Sequence, residues 1–145
     1  MLIPKAARRY AEALYGLAGA ESCLDAVLGD MGEIWNLVKG SSELERFLSD
    51  YVVRRGRRMG VLESLFRKGA HPLSWRFLVF IESKRRMGLL PGICAILAEL
   101  HDRAMGIVDV SLTSAYPLGS WEESAVSGRI AGTLQGRMRL SAGVD

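Results

Sequence analysis

Apolar residues recur at helical spacing through the first 105 residues of the chain. The clearest stripe lies in the second predicted helix, which begins near Ser22 and ends at Gly40. Spacing of i, i+3, i+4 and i+7 is typical of an amphipathic helix that packs one face on a core. The apolar positions that follow it are Leu24, Val27, Leu28, Met31, Ile34, Trp35 and Val38.

Similar stripes predict five further helices in this part of the chain. They cover about 5–17, a short segment after Ser42, 57–68, 74–87 and a last segment with Pro91 in its first turn. Ser42 and Glu45 form a capping box for the third helix. Residues 1–105 are therefore predicted to form a six-helix bundle.

The fourth and fifth predicted helices differ in how much of their surface is apolar. The fourth has one inner face, formed by Met59, Leu62, Leu65 and Phe66. The fifth contains five successive apolar residues, Phe77 to Ile81, so it is apolar on all sides. Such a helix needs either a central position or a partner that lies over one of its faces.

The pattern changes to a period of two after Gly106. Apolar and polar residues alternate from Ile107 to Ser114 and again from Arg137 to Leu140, which predicts two strands. Between them, a capping box of Ser120 and Glu123 opens a helix. Its apolar stripe is Val126, Ile130 and Leu134, and Gly128 and Gly132 indicate close approach to a flat neighbour. Residues 106–145 are thus predicted to form a small strand-helix-strand α/β unit, and the predicted fold class is mainly α.

Composition describes an ordinary soluble protein. Apolar residues make up 49% and charged residues 24% of the 145 positions. We expect no signal peptide and no membrane-spanning run, because no apolar stretch reaches about 18 residues. Cys23 and Cys94 are expected to be buried free thiols in a reducing compartment rather than a disulfide.

The net charge of +3 is concentrated in two basic clusters. One is Arg54, Arg55, Arg57 and Arg58, and the other is Lys84, Arg85 and Arg86. Solvated helix ends are the favoured interpretation, and docking to an acidic protein surface is the second. Nucleic-acid binding is weakly supported, because no aromatic residues interleave with the first cluster and no zinc-finger or helix-turn-helix pattern occurs.

We expect no catalytic site, metal or cofactor. His71 lies in a loop and His101 near a helix end, where surface or capping roles are expected. Asp25, Asp30 and Glu33 are assigned to the solvated face of the second helix. The chain contains neither a phosphate-binding Gly-x-x-x-x-Gly-Lys loop nor a Gly-x-Ser-x-Gly nucleophile elbow. The surplus of apolar helix surface instead favours binding of an amphipathic partner helix.

Three stretches carry a resemblance to a known family. They are ARRYAEALY over 7–15, FLVFIESKRRMGLLPGI over 77–93 and VDVSLTSAYPL over 108–118. In this order they resemble the delta subunit of F-type ATP synthases, the family of the mitochondrial oligomycin-sensitivity-conferring protein. The family pattern continues beyond Val144 and Asp145, so the α/β unit is expected to be incomplete, either in a fragment or in a naturally short protein.

The resemblance implies a non-catalytic stator subunit that is a monomer on its own. It would link the catalytic head to the peripheral-stalk b subunits, at the cytoplasmic face of a bacterial plasma membrane, so that the head resists rotation during proton-driven ATP synthesis. A groove between the first and fifth helices would hold the N-terminal helix of an alpha subunit. By position, the groove residues are Tyr10, Ala13, Leu14, Leu17, Phe77, Phe80, Ile81 and Lys84. The alternative is a basic helical adaptor that binds nucleic acid or protein.

Overall fold

The computed structural model describes residues 3–133 and 137–144. Within them the chain is mainly helical, which confirms the predicted class. The α-helices are α1 (Lys5–Ala20), α2 (Leu24–Gly40), α3 (Ser42–Ser49), α4 (Arg55–Phe66), α5 (Pro72–Ser83), α6 (Leu90–Ala104) and α7 (Ser120–Thr133). The strands are β1 (Ile107–Ser114) and β2 (Arg137–Val144), and a 3₁₀ turn covers Met87–Leu89. The chain divides into two compact units, Met1–Ala98 and Glu99–Asp145, so the division falls within α6.

The core of the first unit is built from regularly spaced side chains of its helices. From α1 it receives Ala7, Ala11, Leu14 and Ala18, all at most 2% exposed. Three of these are alanines, so neighbouring helices can approach the α1 backbone closely. Gly92 in α6 extends this approach, since a Cβ at that position would lie 3.3 Å from Ile3 Cγ2 and 3.4 Å from Ala7 Cβ.

In two helices the capping residues lie one position before the predicted ones. The N-cap of α3 is Ser41 rather than Ser42, because the Ser41 hydroxyl accepts a hydrogen bond from the Leu44 N–H at 3.2 Å. At α7 the Glu122 carboxylate accepts from the Gly119 N–H at 2.7 Å, so the predicted pair of Ser120 and Glu123 is also displaced by one. In each case a side chain satisfies one free backbone N–H group at the start of the helix.

The inner face of α4 differs from the predicted one. The buried residues are Arg58, Leu62 and Phe66, whereas Leu65 is 49% exposed and its prediction as a core residue is wrong. A charged side chain can occupy the inner face here because Arg58 meets a buried carboxylate, that of Glu82 in α5.

The start of α5 is held by polar groups from two sources. His71 caps it, since its Nδ1 accepts a hydrogen bond from the Leu73 N–H at 3.1 Å. From α2, Asp30 Oδ2 accepts from the His71 N–H at 2.8 Å and from the Ser74 hydroxyl at 2.6 Å. Assigning Asp30 to the solvated face was therefore wrong, because its carboxylate faces the N-terminus of α5.

In the second unit, β1 and β2 form a parallel pair, and the crossover helix α7 connects them along the chain. Their register runs from Ile107 opposite Arg137 to Ser114 opposite Val144. Apart from chain neighbours and the backbone of α7 itself, no described atom lies within 4 Å of a Cβ built on Gly128 or Gly132, so no described residue makes the close approach predicted at these glycines. Of the predicted stripe, Val126 and Ile130 are half-buried, and Leu134 lies outside the described residues.

Candidate functional site

A groove of about 250 Å³ lies between α1 and α5. Most of its lining is apolar. From α1 the lining residues are Tyr10, Ala13, Leu14 and Leu17, and from α5 they are Leu73, Arg76, Phe77 and Phe80.

The groove exists because each helix is apolar beyond the stripe that it packs into the core. On α1, Leu14 is buried, whereas Leu17 one turn further along is 48% exposed. On α5, Phe77 is buried and Phe80 is 45% exposed. Ala13 carries only a methyl group and leaves the space between the helices open. Large apolar side chains therefore remain in contact with water along both walls.

Two aromatic rings meet at one end of the groove. The centroids of Tyr10 and Phe80 are 6.0 Å apart with an interplanar angle of 69°, an edge-to-face arrangement. Arg86 Nη1 donates a hydrogen bond to the Tyr10 hydroxyl at 2.9 Å, and Lys84 Nζ lies 5.7 Å from the centroid of Phe80. Two cations thus border the aromatic end.

The opposite end is bordered by an exposed ion pair. Arg76 Nη2 lies 3.7 Å from Glu21 Oε2, and the two side chains are 66% and 42% exposed. Exposed pairs at this distance hold their side chains weakly. Arg76 can consequently turn toward a partner without a large energetic cost. An apolar floor with polar groups at its ends suits an amphipathic helix.

The structure brings six of the eight predicted groove residues into one lining: Tyr10, Ala13, Leu14, Leu17, Phe77 and Phe80. Ile81 is fully buried and cannot offer its side chain to a partner. Lys84 lies over the Phe80 ring, outside the lining. The sequence reasoning missed Leu73 and Arg76, which helical periodicity identifies, since each lies four residues before a predicted groove residue.

The described residues show little other chemistry. They contain no group of three or more His, Cys, Asp or Glu side chains that could hold a metal ion. Cys23 and Cys94 are free thiols, and burial raises the pKa of Cys94 to about 12. Among the same residues no helix has the length and apolar character needed to cross a membrane.

Comparison with known proteins gives consistent similarities. Residues 6–145 match the family described as ATP synthase delta (OSCP) subunit. A protein from Chlorobium phaeovibrioides named ATP synthase subunit delta is 31% identical over 140 residues, which cover 97% of this chain and 77% of that protein. One of the same name from Chlorobium luteolum is 35% identical over 139 residues, covering 93% and 77%.

A solved structure shares the fold. It is a chain in the cryo-EM structure of the Toxoplasma gondii mitochondrial ATP synthase hexamer, with a TM-score of 0.71 and 23% sequence identity. The match covers 98% of this chain and 79% of that chain. At this identity the similarity concerns the fold alone.

Proposed function

The chain belongs to the ATP synthase delta (OSCP) subunit family, and from this premise we propose that its α1–α5 groove binds the N-terminal helix of an alpha subunit. As a member of this family it is a non-catalytic stator subunit of F-type ATP synthase. The subunit would bind the catalytic head through this groove.

The observation that supports this proposal is the unpartnered apolar lining between α1 and α5. Leu17 and Phe80 each leave nearly half of their surface in water on facing walls. Burying a large apolar side chain contributes about 1.5–3 kcal/mol. A partner helix that covers two or three such residues would bind tightly even after the cost of ordering it is subtracted. A stator contact needs tight and long-lived binding, because it must resist torque although the subunit catalyses no reaction.

The finer architecture follows from the same proposal. We infer that α1 to α6 act together as a six-helix bundle over residues 1–105, whose rigidity fixes the two walls of the groove. The α/β unit over 106–145 would face the peripheral-stalk b subunits. The subunit would sit peripherally, through the complex, at the cytoplasmic face of a bacterial plasma membrane.

Calorimetric titration with a peptide of the alpha-subunit N-terminus from the same organism tests the groove. We expect Tyr10→Asp and Phe80→Asp to abolish binding, because each places a carboxylate in the apolar lining. Leu37→Asp is the matched control, since Leu37 is 47% exposed on α2 and does not line the groove. It should leave the affinity unchanged. Unchanged affinity in both groove variants would remove the groove assignment.

The nucleic-acid adaptor is not favoured by the family membership. It makes a separate prediction, because phosphate binding releases counterions and weakens steeply with salt. A filter-binding assay with the purified chain should show no retained oligonucleotide even at low salt. Retention that falls steeply with salt would restore this alternative.

A further inference from the structure

The turn between α3 and α4 displays two bulky apolar side chains to solvent. Tyr51 is 86% and Val52 89% exposed. The turn is nevertheless held in place, since Asp50 Oδ1 accepts a hydrogen bond from the Val52 N–H at 2.9 Å. Arg58, which is paired with buried Glu82, also donates to the Asp50 carbonyl. Two apolar side chains are thus presented from a fixed backbone, which lowers the ordering cost of binding.

Arginines surround this turn. Arg54, Arg55 and Arg85 are exposed and line a concavity of about 320 Å³ beside Tyr51 and Val52. Within residues 3–133 and 137–144, none of the three makes an ion pair. Glu82 also lines the concavity, but its charge is already balanced by Arg58. The residues that line the concavity therefore carry a net positive charge.

The backbone of α4 adds to this positive potential. The helix begins at Arg55 with Arg54 as its N-cap, and its first turn contains neither an acidic residue nor a side-chain cap. The N-terminal end of a helix carries a partial positive charge that an anion stabilises. Three cationic groups and a helix end of the same sign thus meet at one place.

Tyr51 also lines a second concavity, of about 370 Å³, together with Arg86, Gly88 and Leu89. Arg86 in turn holds the hydroxyl of Tyr10 at the edge of the α1–α5 groove. Arg86 thus lines the concavity beside Tyr51 and contacts one residue of the groove lining, Tyr10.

We propose that this surface, formed by Tyr51, Val52, Arg54, Arg55 and Arg85 and called here the Tyr51 surface, docks an acidic protein segment in which carboxylates flank an apolar side chain. Guanidinium groups match carboxylates in charge and in planar geometry. Tyrosine and arginine are the side chains that dominate binding energy in protein interfaces. A nucleic acid would instead need a row of aromatic platforms for its bases, and the surface has one aromatic side chain. The proposal is independent of the groove's occupant.

Nuclear magnetic resonance titration of the isotope-labelled 145-residue chain tests it. The probe is an acetylated, amidated hexapeptide of sequence EELEEL, at an ionic strength of about 20 mM, where screening is weak. We expect saturable shifts at the Tyr51 ring and the Val52 methyl groups, and none with a QQLQQL peptide. Tyr51→Ala should weaken binding about tenfold, as expected for a central interface tyrosine.

The charge is tested by a matched pair of double variants. Arg54→Gln with Arg55→Gln should weaken binding of the EELEEL peptide about tenfold or more. The control double variant, Lys39→Gln with Lys68→Gln, removes the same charge from exposed positions outside the surface. It should weaken binding of the peptide less than about twofold. Equal losses in the two double variants would overturn the proposal, because binding would then follow net charge. Hexathymidylate that binds as tightly as the EELEEL peptide, with an affinity unchanged by Tyr51→Ala, would also overturn the proposal. The surface would then bind anions in general.

Discussion

Arg58 and Glu82 form a buried ion pair that joins α4 to α5. Arg58 Nη1 lies 3.1 Å from Glu82 Oε1, and the two side chains are 7% and 1% exposed. Neither the net charge nor the helical periodicity indicated this pair, since it joins residues 24 positions apart. The pair anchors the face of α5 opposite the groove. It also holds the α3–α4 turn, because Arg58 donates a hydrogen bond to the Asp50 carbonyl.

Breaking the Arg58–Glu82 pair on one side should destabilise the fold strongly. Glu82→Gln leaves a buried guanidinium without a counter-charge, so we expect a loss of about 3–5 kcal/mol in the free energy of unfolding. Urea denaturation followed by circular dichroism measures it. Replacing both residues, by Arg58→Met with Glu82→Leu, should cost less than the single change, because no charge is then left buried.

The control for this cycle is an exposed pair at the C-terminal end of α4. Glu63 and Arg67 pair one turn apart, and both side chains are at least half exposed. Glu63→Gln should change the free energy of unfolding by less than about 0.5 kcal/mol. A loss from Glu82→Gln no larger than that of the control would show that the buried pair contributes little.

Burial of Cys94 predicts a specific dependence of stability on pH. Its pKa is raised from 9.0 to about 12 by desolvation. Between these values the folded thiol keeps its proton while the unfolded thiol loses it, so the unfolded state is favoured as pH rises. Stability should fall by about 1.4 kcal/mol per pH unit from this group above pH 9, and the contribution is absent below it.

Urea denaturation at several pH values above 9 isolates the effect of Cys94. Cys94→Ala should show a shallower fall in stability than the unmodified chain. The Cys23→Ala variant retains Cys94 as its only cysteine and should keep the steep fall. If Cys94→Ala and Cys23→Ala give equal slopes, the thiol of Cys94 does not titrate as its burial requires.

The carboxylate of Asp30 should be important for stability although it is only partly buried. Asp30→Ala removes the acceptor for both the His71 N–H and the Ser74 hydroxyl at the start of α5. We expect a loss of about 1–2 kcal/mol, as for other N-terminal caps. Glu33→Ala, at an exposed position of the same helix, should stay within about 0.5 kcal/mol. Thermal unfolding of the two variants compares them, and equal melting temperatures would contradict the capping role.

The elements that the sequence predicted well are those set by local periodicity. The strand over Ile107–Ser114 has its predicted limits, and α2 ends at Gly40 as expected. The cap of α3 was displaced by one residue because Ser41 and Ser42 are both competent caps, and only the backbone conformation distinguishes them. Helix ends are the least certain part of such predictions.

Features that depend on distant residues could not be read from local patterns. Arg58 was assigned to a solvated cluster because its partner lies in another helix, and Asp30 was assigned to solvent for the same reason. At the groove, family resemblance supplied positions on α1 and α5 but also included Ile81, whose side chain points into the core. Distinguishing the wall of a groove from the layer beneath it requires the packing of both helices.

The open space beside Ala13 gives a steric test of the groove that adds no charge. Ala13 is exposed and lines the groove, so Ala13→Trp would fill the space with an indole while leaving the core untouched. On a helix surface this change costs only about 0.5 kcal/mol of stability. We expect binding of the alpha-subunit peptide to weaken at least about tenfold, since the partner helix and the indole would compete for one volume. Glu12→Trp introduces the same side chain at the neighbouring exposed position, outside the lining, and should bind normally. Calorimetric titration of both variants decides the point, because wild-type affinity in Ala13→Trp would mean that the peptide occupies another surface.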